Sequence, residues 1–376
     1  MAGSGAVDGS DGGRTYDHLA ELAVAVDGWS LEPHERETKG GSTRRTTVVA
    51  LEGDGHVGRG EDVTYDAELH DALAAEPPDL GLAGETTIDE ASAALDDVDL
   101  FPAGAPEREA FRDYRRWAAE SALLDLALKQ AGTDLAGALD RTPEPVRFVV
   151  SSGLGDPPSA EPVTRWLEVD PDLEFKVDVT RPLPESVLED LVGTGAVRGI
   201  DLKGRYAGEV DLDDGETPAW IGEPDPDPGV YRELFDAFPD AVFEDPAVTA
   251  ATRPVLEAEA ERLAWDAPIH SVDDFAAQPI DVGRCNVKPS RFGTLERLFD
   301  FLDDATERGL GLYGGGQYEL SVGRGQLHAL ASVCYPDGPN DVAPRGYNDP
   351  EPRTGLPASP LGVPEREPGF GWPAPG

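Results

Sequence analysis

Five short apolar runs in the second half of the chain each carry charged residues at or just past their ends. LEFKVDV offers Lys176 and Asp178, RGIDLKG offers Asp201 and Lys203, and AVFEDP offers Glu244 and Asp245. LAWDAPIHS offers Asp266 and His270, and CNVKPSRFG offers Lys288. Brought to one place, Asp201, Glu244 and Asp266 would hold a hard divalent cation, since magnesium takes oxygen ligands and keeps positions open for substrate oxygens. A partly buried lysine near such an ion has its ammonium form disfavoured, which makes it a usable acid or base near neutral pH. The chain contains only five lysines, Lys39, Lys129, Lys176, Lys203 and Lys288, and three of them fall in this set. Each residue alone has a plainer reading. An Asp after a strand is often the N-cap of the next helix, and a buried lysine often just pairs with a neighbouring carboxylate. The set as a whole points to chemistry.

Such residues need elements that converge. From Pro145 onward, short apolar runs alternate with longer helical spacers. Strands are expected at 146–151, 173–179, 197–202, 241–244, 262–265, 284–287, 310–313 and 340–343. Helices are expected between them, among others at 185–192, 230–237, 295–307 and 326–333. Strand–helix alternation over about 200 residues implies a parallel α/β arrangement, and eight strands favour a barrel over an open sheet. No Gly-x-Gly-x-x-Gly follows the first strand, which counts against a dinucleotide-binding sheet. In such a barrel the strand ends meet at one mouth, where catalytic groups sit. An alternative register makes FKVDV the third strand, with Asp178 a ligand. It leaves the barrel one strand short and misplaces Lys288.

The first part of the chain differs. Residues 18–38 and 44–54 alternate as strands do, Gly53-Asp54-Gly55 reads as a hairpin turn into 56–63, and 105–139 has the strongest helical period. The expected organisation is therefore a disordered tail at 1–14, an α+β domain at 15–140, a barrel at 141–348 and a proline-rich segment at 349–376. That last segment holds eight prolines, so it is either disordered or an extended strip packed on the first domain. The polar insertion at 209–229 only faintly resembles a calcium loop.

With 74 Asp and Glu against 31 Lys and Arg, the formal net charge is -43. That balance argues against binding nucleic acid or an anionic membrane, both of which need a basic face. No apolar run is long enough to cross a bilayer and no signal peptide opens the chain, so a cytoplasmic protein is expected. Cys285 and Cys334 form neither a disulfide framework nor a metal motif. An acid-rich, lysine-poor surface suits a halophilic host, where salt screens carboxylate repulsion to a few ångströms. A salt-dependent homo-oligomer is compatible with it.

The order Lys176, Asp201, Glu244, Asp266, Lys288, with separations of 25, 43, 22 and 22 residues, resembles the enolase superfamily, in particular its muconate-cycloisomerase and methylaspartate-ammonia-lyase-like branches. GDGHVGRGE at 53–61, AAESALLDLALKQAG at 118–132, FEDP at 243–246 and NVKPSRFGTL at 286–295 are similar to that family's hairpin, capping helix, fourth-strand and sixth-strand motifs. The resemblance implies a modified (β/α)7β TIM-type barrel under an α+β capping domain. It further implies Mg2+ held by Asp201, Glu244 and Asp266, and abstraction of the α-proton of a small carboxylate substrate. Lys288 would be the base on one face and Lys176 its partner on the other. Lys176-Val177-Asp178 departs from the family's Lys-x-Lys, and Lys203 stands where a neutral residue is usual. Lys203 is a candidate substrate contact, as are Gln317 and Glu319 after Gly314-Gly315-Gly316. With one clear base, elimination by a lyase or dehydratase is favoured over isomerisation. Two other readings remain: a non-catalytic carboxylate-binding protein on the same fold, and an aldolase using Lys203 or Lys288 as a Schiff-base lysine.

Overall fold

The structure, a computed structural model, describes residues 13–37, 43–204 and 227–373. Residues 1–12 of the expected tail, Lys39 and most of the 209–229 insertion therefore lie outside the described residues. Arg14 is described, and it pairs with Asp300 at 2.7 Å.

The first domain is built on five strands, β1 (Ala23–Val26), β2 (Gly28–Glu37), β3 (Thr43–Gly53), β4 (His56–Asp62) and β5 (Gly84–Thr87). β2, β3 and β4 form an antiparallel sheet, and β1 pairs with β5. Gly53 lies opposite His56, leaving a two-residue turn whose Asp54 and Gly55 have φ of 49° and 76°. Positive φ at both positions matches the twist of a tight hairpin. Against this sheet lies the helix Ala110–Ala131, buried around most of its circumference from Phe111 to Leu128. Gly58 and Gly60 allow the close approach. A Cβ there would lie 2.3 Å from the Ala122 carbonyl oxygen and 2.1 Å from that of Ala118.

The second domain contains seven parallel strands in chain order: β6 (Val150–Ser152), β7 (Phe175–Asp178), β8 (Val197–Asp201), β9 (Val242–Glu244), β10 (Leu263–Trp265), β11 (Arg284–Val287) and β12 (Gly311–Gly314). The expected eighth strand is reduced to two bridged residues. Asn340 pairs in parallel with Phe148 and Asp341 with Gly315, which closes the ring. The result is the expected (β/α)7β barrel under an α+β cap. The strands are short, and their largely buried residues read as near-continuous apolar runs, as parallel strands covered on both faces do.

Cap and barrel share a buried polar seam. Glu61, at the end of β4, accepts the amides of Leu320, Ser321 and Gly323 at 2.6, 3.0 and 2.9 Å, at the start of the helix Gly323–Cys334. A carboxylate is favoured at that end of a helix. Arg44 is buried, donates to the carbonyls of Thr64 and Gln317, and stacks on Tyr65. The proline-rich C-terminal segment is extended. Leu361 bridges Val146, and Phe370 meets Trp117 edge-on while its amide donates to Asp125 at 2.8 Å. Among the described residues no helix is long and apolar enough to cross a membrane.

His328, on the helix Gly323–Cys334, is fully buried. Its Nε2 donates to the carbonyl of Val342 at 2.7 Å, just past the closing residues, while Nδ1 has no partner. Burial, helped by Arg324, pushes its pKa down to about 4 from 6.5. An unfolded histidine takes up a proton near pH 6.5 that the folded one refuses until about 4. Stability is therefore lost as pH falls through that window, by up to about 3 kcal/mol. His328→Gln, which keeps a donor for Val342, should lose clearly less stability than the parent between pH 7 and 4.5 in denaturant titrations at constant salt. Equal losses in the two proteins would show that His328 does not drive the acid sensitivity.

Candidate active site

Three carboxylates end three adjacent strands: Asp201 on β8, Glu244 on β9 and, one residue past β10, Asp266. Because parallel strands in register end at one level, these side chains converge. All three are buried, and one oxygen from each lies within 4.8 Å of the others. Glu244 Oε2 and Asp266 Oδ2 are buried, and each faces a lysine ammonium. Closely spaced, buried carboxylate oxygens fit a hard divalent cation, which takes oxygen ligands.

The lysines flank this group. β7 and β11 stand four positions apart in an eight-position ring, so Lys176 and Lys288 approach from opposite sides. Lys176 Nζ is 2.5 Å from Glu244 Oε2, 3.4 Å from Asp341 and 3.6 Å from Asp201. Burial alone would lower its pKa, but Glu244, Asp341 and Asp201 outweigh that and hold the ammonium charged. That reverses the expectation of a lysine readily neutralised by its surroundings. Lys288 Nζ lies 3.1 Å from Asp266 Oδ2, and the other oxygen of that carboxylate takes Arg291 Nη1 at 2.6 Å. Lys203 Nζ reaches Asp201 at 3.1 Å and Asp178 at 3.8 Å. Its backbone has a φ of 51°, a region a lysine seldom occupies and one that clusters at functional sites.

The electrostatics divide the carboxylates. Burial, reinforced by Asp201 and Asp266 and opposed by Lys176, pushes Glu244 up to about 8. For Asp266 burial acts in the same direction, but Arg291, Lys288 and Lys176 overcome it and hold the carboxyl well below the usual range. Asp245 turns away from the cluster and accepts the amides of Asp266 and Ala267, both at 2.9 Å. It fixes the β10 end.

The other expected residues lie elsewhere. Gln317 exchanges hydrogen bonds with Tyr114 and Tyr65 of the cap at 3.0 and 3.2 Å. Glu319 accepts the Gln317 amide at 2.6 Å and pairs with Arg324 at 3.1 Å. Both are committed to the seam. The glycine run before them has a direct role, since a Cβ on Gly315 would sit 3.0 Å from Lys288 Cε and 2.5 Å from Asn286 Oδ1. His270 meets Asp113 of the capping helix at 3.3 Å. Four site residues were not singled out from sequence. Arg291 and Asp341 are described above. Tyr313 and Asn286 both donate to Glu244 Oε1, at 2.7 and 3.3 Å. Arg291 had a usable signal, its position three residues after Lys288.

A strand-rich cap over a (β/α)7β barrel is the fold that the resemblance to the enolase superfamily implies. Solved structures agree. A dipeptide epimerase from Methylococcus capsulatus, complexed with Mg and the dipeptide L-Arg-D-Lys, superposes with a TM-score of 0.67 at 18% identity, covering 92% of this chain and 99% of that one. A dipeptide epimerase from Enterococcus faecalis V583 gives 0.66 at 14% identity, covering 92% and 99%. Muconate cycloisomerase from Pseudomonas fluorescens gives 0.62 at 15% identity, covering 93% and 96%. At these identities the likeness is one of fold. No curated protein is matched by the sequence. Residues 17–138 match the N-terminal domain, and residues 142–349 the C-terminal domain, of the domain of unknown function DUF8230. The chain belongs to the DUF8230 family.

Proposed function

We propose that this protein is a magnesium-dependent enzyme that removes the α-proton of a small carboxylate substrate. The observation that carries the reading is the buried Asp201–Glu244–Asp266 group, flanked by lysines from opposite sides of the barrel. These three carboxylates would hold the ion, which when bound supplies Lewis acidity toward a substrate oxygen and stabilises the charge left by the departing proton. Lys288 takes the proton. Arg291 already bonds Asp266, so Lys288 is not that carboxylate's sole counter-ion, and Gly315 leaves its stem room to move. Lys176 supplies positive charge across the substrate from Lys288, and Lys203 meets an anionic group at the rim. Gln317 and Glu319 act on the substrate only indirectly, by fixing the turn that carries Gly315.

Asp178 stands two residues after Lys176, in place of a second lysine. That supports one-base elimination, a lyase or dehydratase, over two-base epimerisation. The epimerases and cycloisomerases of similar fold keep isomerisation as the second reading. The acid-rich, lysine-poor surface supports a cytoplasmic setting of high salt.

The test is α-deuterium uptake in D2O, read by mass spectrometry in concentrated KCl with magnesium. The panel covers sugar acids, amino acids, dipeptides and aromatic hydroxy acids. Uptake that stops on adding EDTA is expected. Metal-dependent carboxylate binding without exchange would instead establish a binding protein on this fold, the reading that the altered Lys176-Val177-Asp178 motif supports. Failure to bind magnesium would overturn the metal site.

A further inference from the structure

Of the four described lysines, the barrel mouth accounts for all but Lys129. That residue lines an open cavity of about 340 Å³ where the cap, the helix Gly323–Cys334 and the C-terminal segment meet. Four cations, Arg59, Lys129, Arg324 and Arg345, face it against two carboxylates, Asp125 and Glu367. In a chain with 74 acidic and 31 basic residues, this is a reversal of the prevailing charge. No residue of the carboxylate cluster lines it.

The cations are only partly satisfied by the protein. Arg345 donates to the carbonyl of Leu320 and pairs with no carboxylate among the described residues. Arg324 is 7% exposed and pairs with Glu319, yet its buried Nε–H finds no acceptor. Arg59 reaches Glu32 at 3.2 Å, but both side chains are more than a third exposed, so water competes for that contact. Lys129 is held by Asp125 at 2.7 Å and by the Val57 carbonyl at 2.8 Å, which fixes its ammonium at the cavity wall. Guanidinium groups with spare donors match the forked geometry of carboxylate and phosphate oxygens.

We propose that this cavity binds a small multivalent oxyanion, of the phosphate or polycarboxylate class. Arg59 and Lys129 come from the cap and Arg324 and Arg345 from the barrel, while Trp372 of the C-terminal segment forms part of the wall. The anion therefore joins three parts of the fold, and by binding only the folded chain it stabilises it. The proposal is independent of the reaction at the mouth.

The experiment is calorimetric titration of the full chain with inorganic phosphate and, separately, with citrate, in concentrated KCl so that screening is constant. Saturable binding at one site per chain is expected for at least one of them, and the tighter of the two identifies the source. Arg345→Gln should weaken it by about tenfold or more. Glu367→Gln removes a competing carboxylate from an exposed position and should tighten it. Because that second change is exposed, it tests the site even if Arg345→Gln fails to fold. Absence of saturable heat with both anions overturns the proposal. So does Glu367→Gln binding no more tightly than the parent.

Discussion

Lys288→Ala should lower α-deuterium uptake by a factor of about 10² to 10⁴, the usual contribution of a positioned acid or base. The effect should fall on exchange and not on assembly of the site. Asp266 keeps its 2.6 Å contact with Arg291 when Lys288 is gone, so magnesium binding and unfolding midpoint should stay close to the parent's. Lys288→Arg separates the roles further. An arginine preserves the positive charge but cannot give up its proton in a protein, so it cannot serve as the base. If Lys288 only attracts the substrate's charge, Arg restores function; if it takes the proton, Arg is as inactive as Ala. Exchange within threefold of the parent in Lys288→Arg would remove Lys288 from its assigned role.

Asp266→Ala should have the largest effect on the protein itself. The carboxylate is fully buried, and it is the acidic partner of both Arg291, 3% exposed at the side chain, and Lys288. Removing one partner of a buried pair costs about 3–5 kcal/mol, because the attraction that offset the desolvation of the remaining charge is lost. Asp266→Asn keeps the shape and an acceptor for Arg291 and should cost distinctly less, while still losing the ligand charge. Denaturant unfolding in constant salt gives the first quantity and magnesium titration the second. A loss below about 1 kcal/mol for Asp266→Ala would mean that this ion pair is not holding the β10–β11 ends together.

The barrel was legible in the sequence because its strands are largely buried and therefore mostly apolar. The run at 284–287 and the helix at 295–307 coincide with Arg284–Val287 and Leu295–Glu307. Asp201, Glu244 and Asp266 stood out for the same reason, each following an apolar strand that must end at the mouth. Asp341 did not, because the closing strand is two bridged residues too short to carry a period. Gln317 and Glu319 illustrate a different failure. A polar residue after a strand looks the same whether the chain stays at the mouth or crosses to the cap, and its partners, for Gln317 a tyrosine 203 residues away, decide it. Arg44 was invisible for the converse reason, being a charged residue in a strand whose partners are backbone carbonyls up to 273 residues away.

Glu61 has a consequence for the order in which the molecule can be made. Its carboxylate belongs to a hairpin synthesised early, yet the amides that satisfy it begin 259 residues later, at Leu320. Domains on a ribosome ordinarily settle from the N-terminal end first. Here the early domain emerges with a carboxylate that has the Thr46 hydroxyl at 2.7 Å but none of its three backbone amides, and the helix Ala110–Ala131 waits equally for Phe370 of the last segment. The cap is translated first and completed last, so most of the barrel must pass through the exit tunnel before the cap can reach its final form.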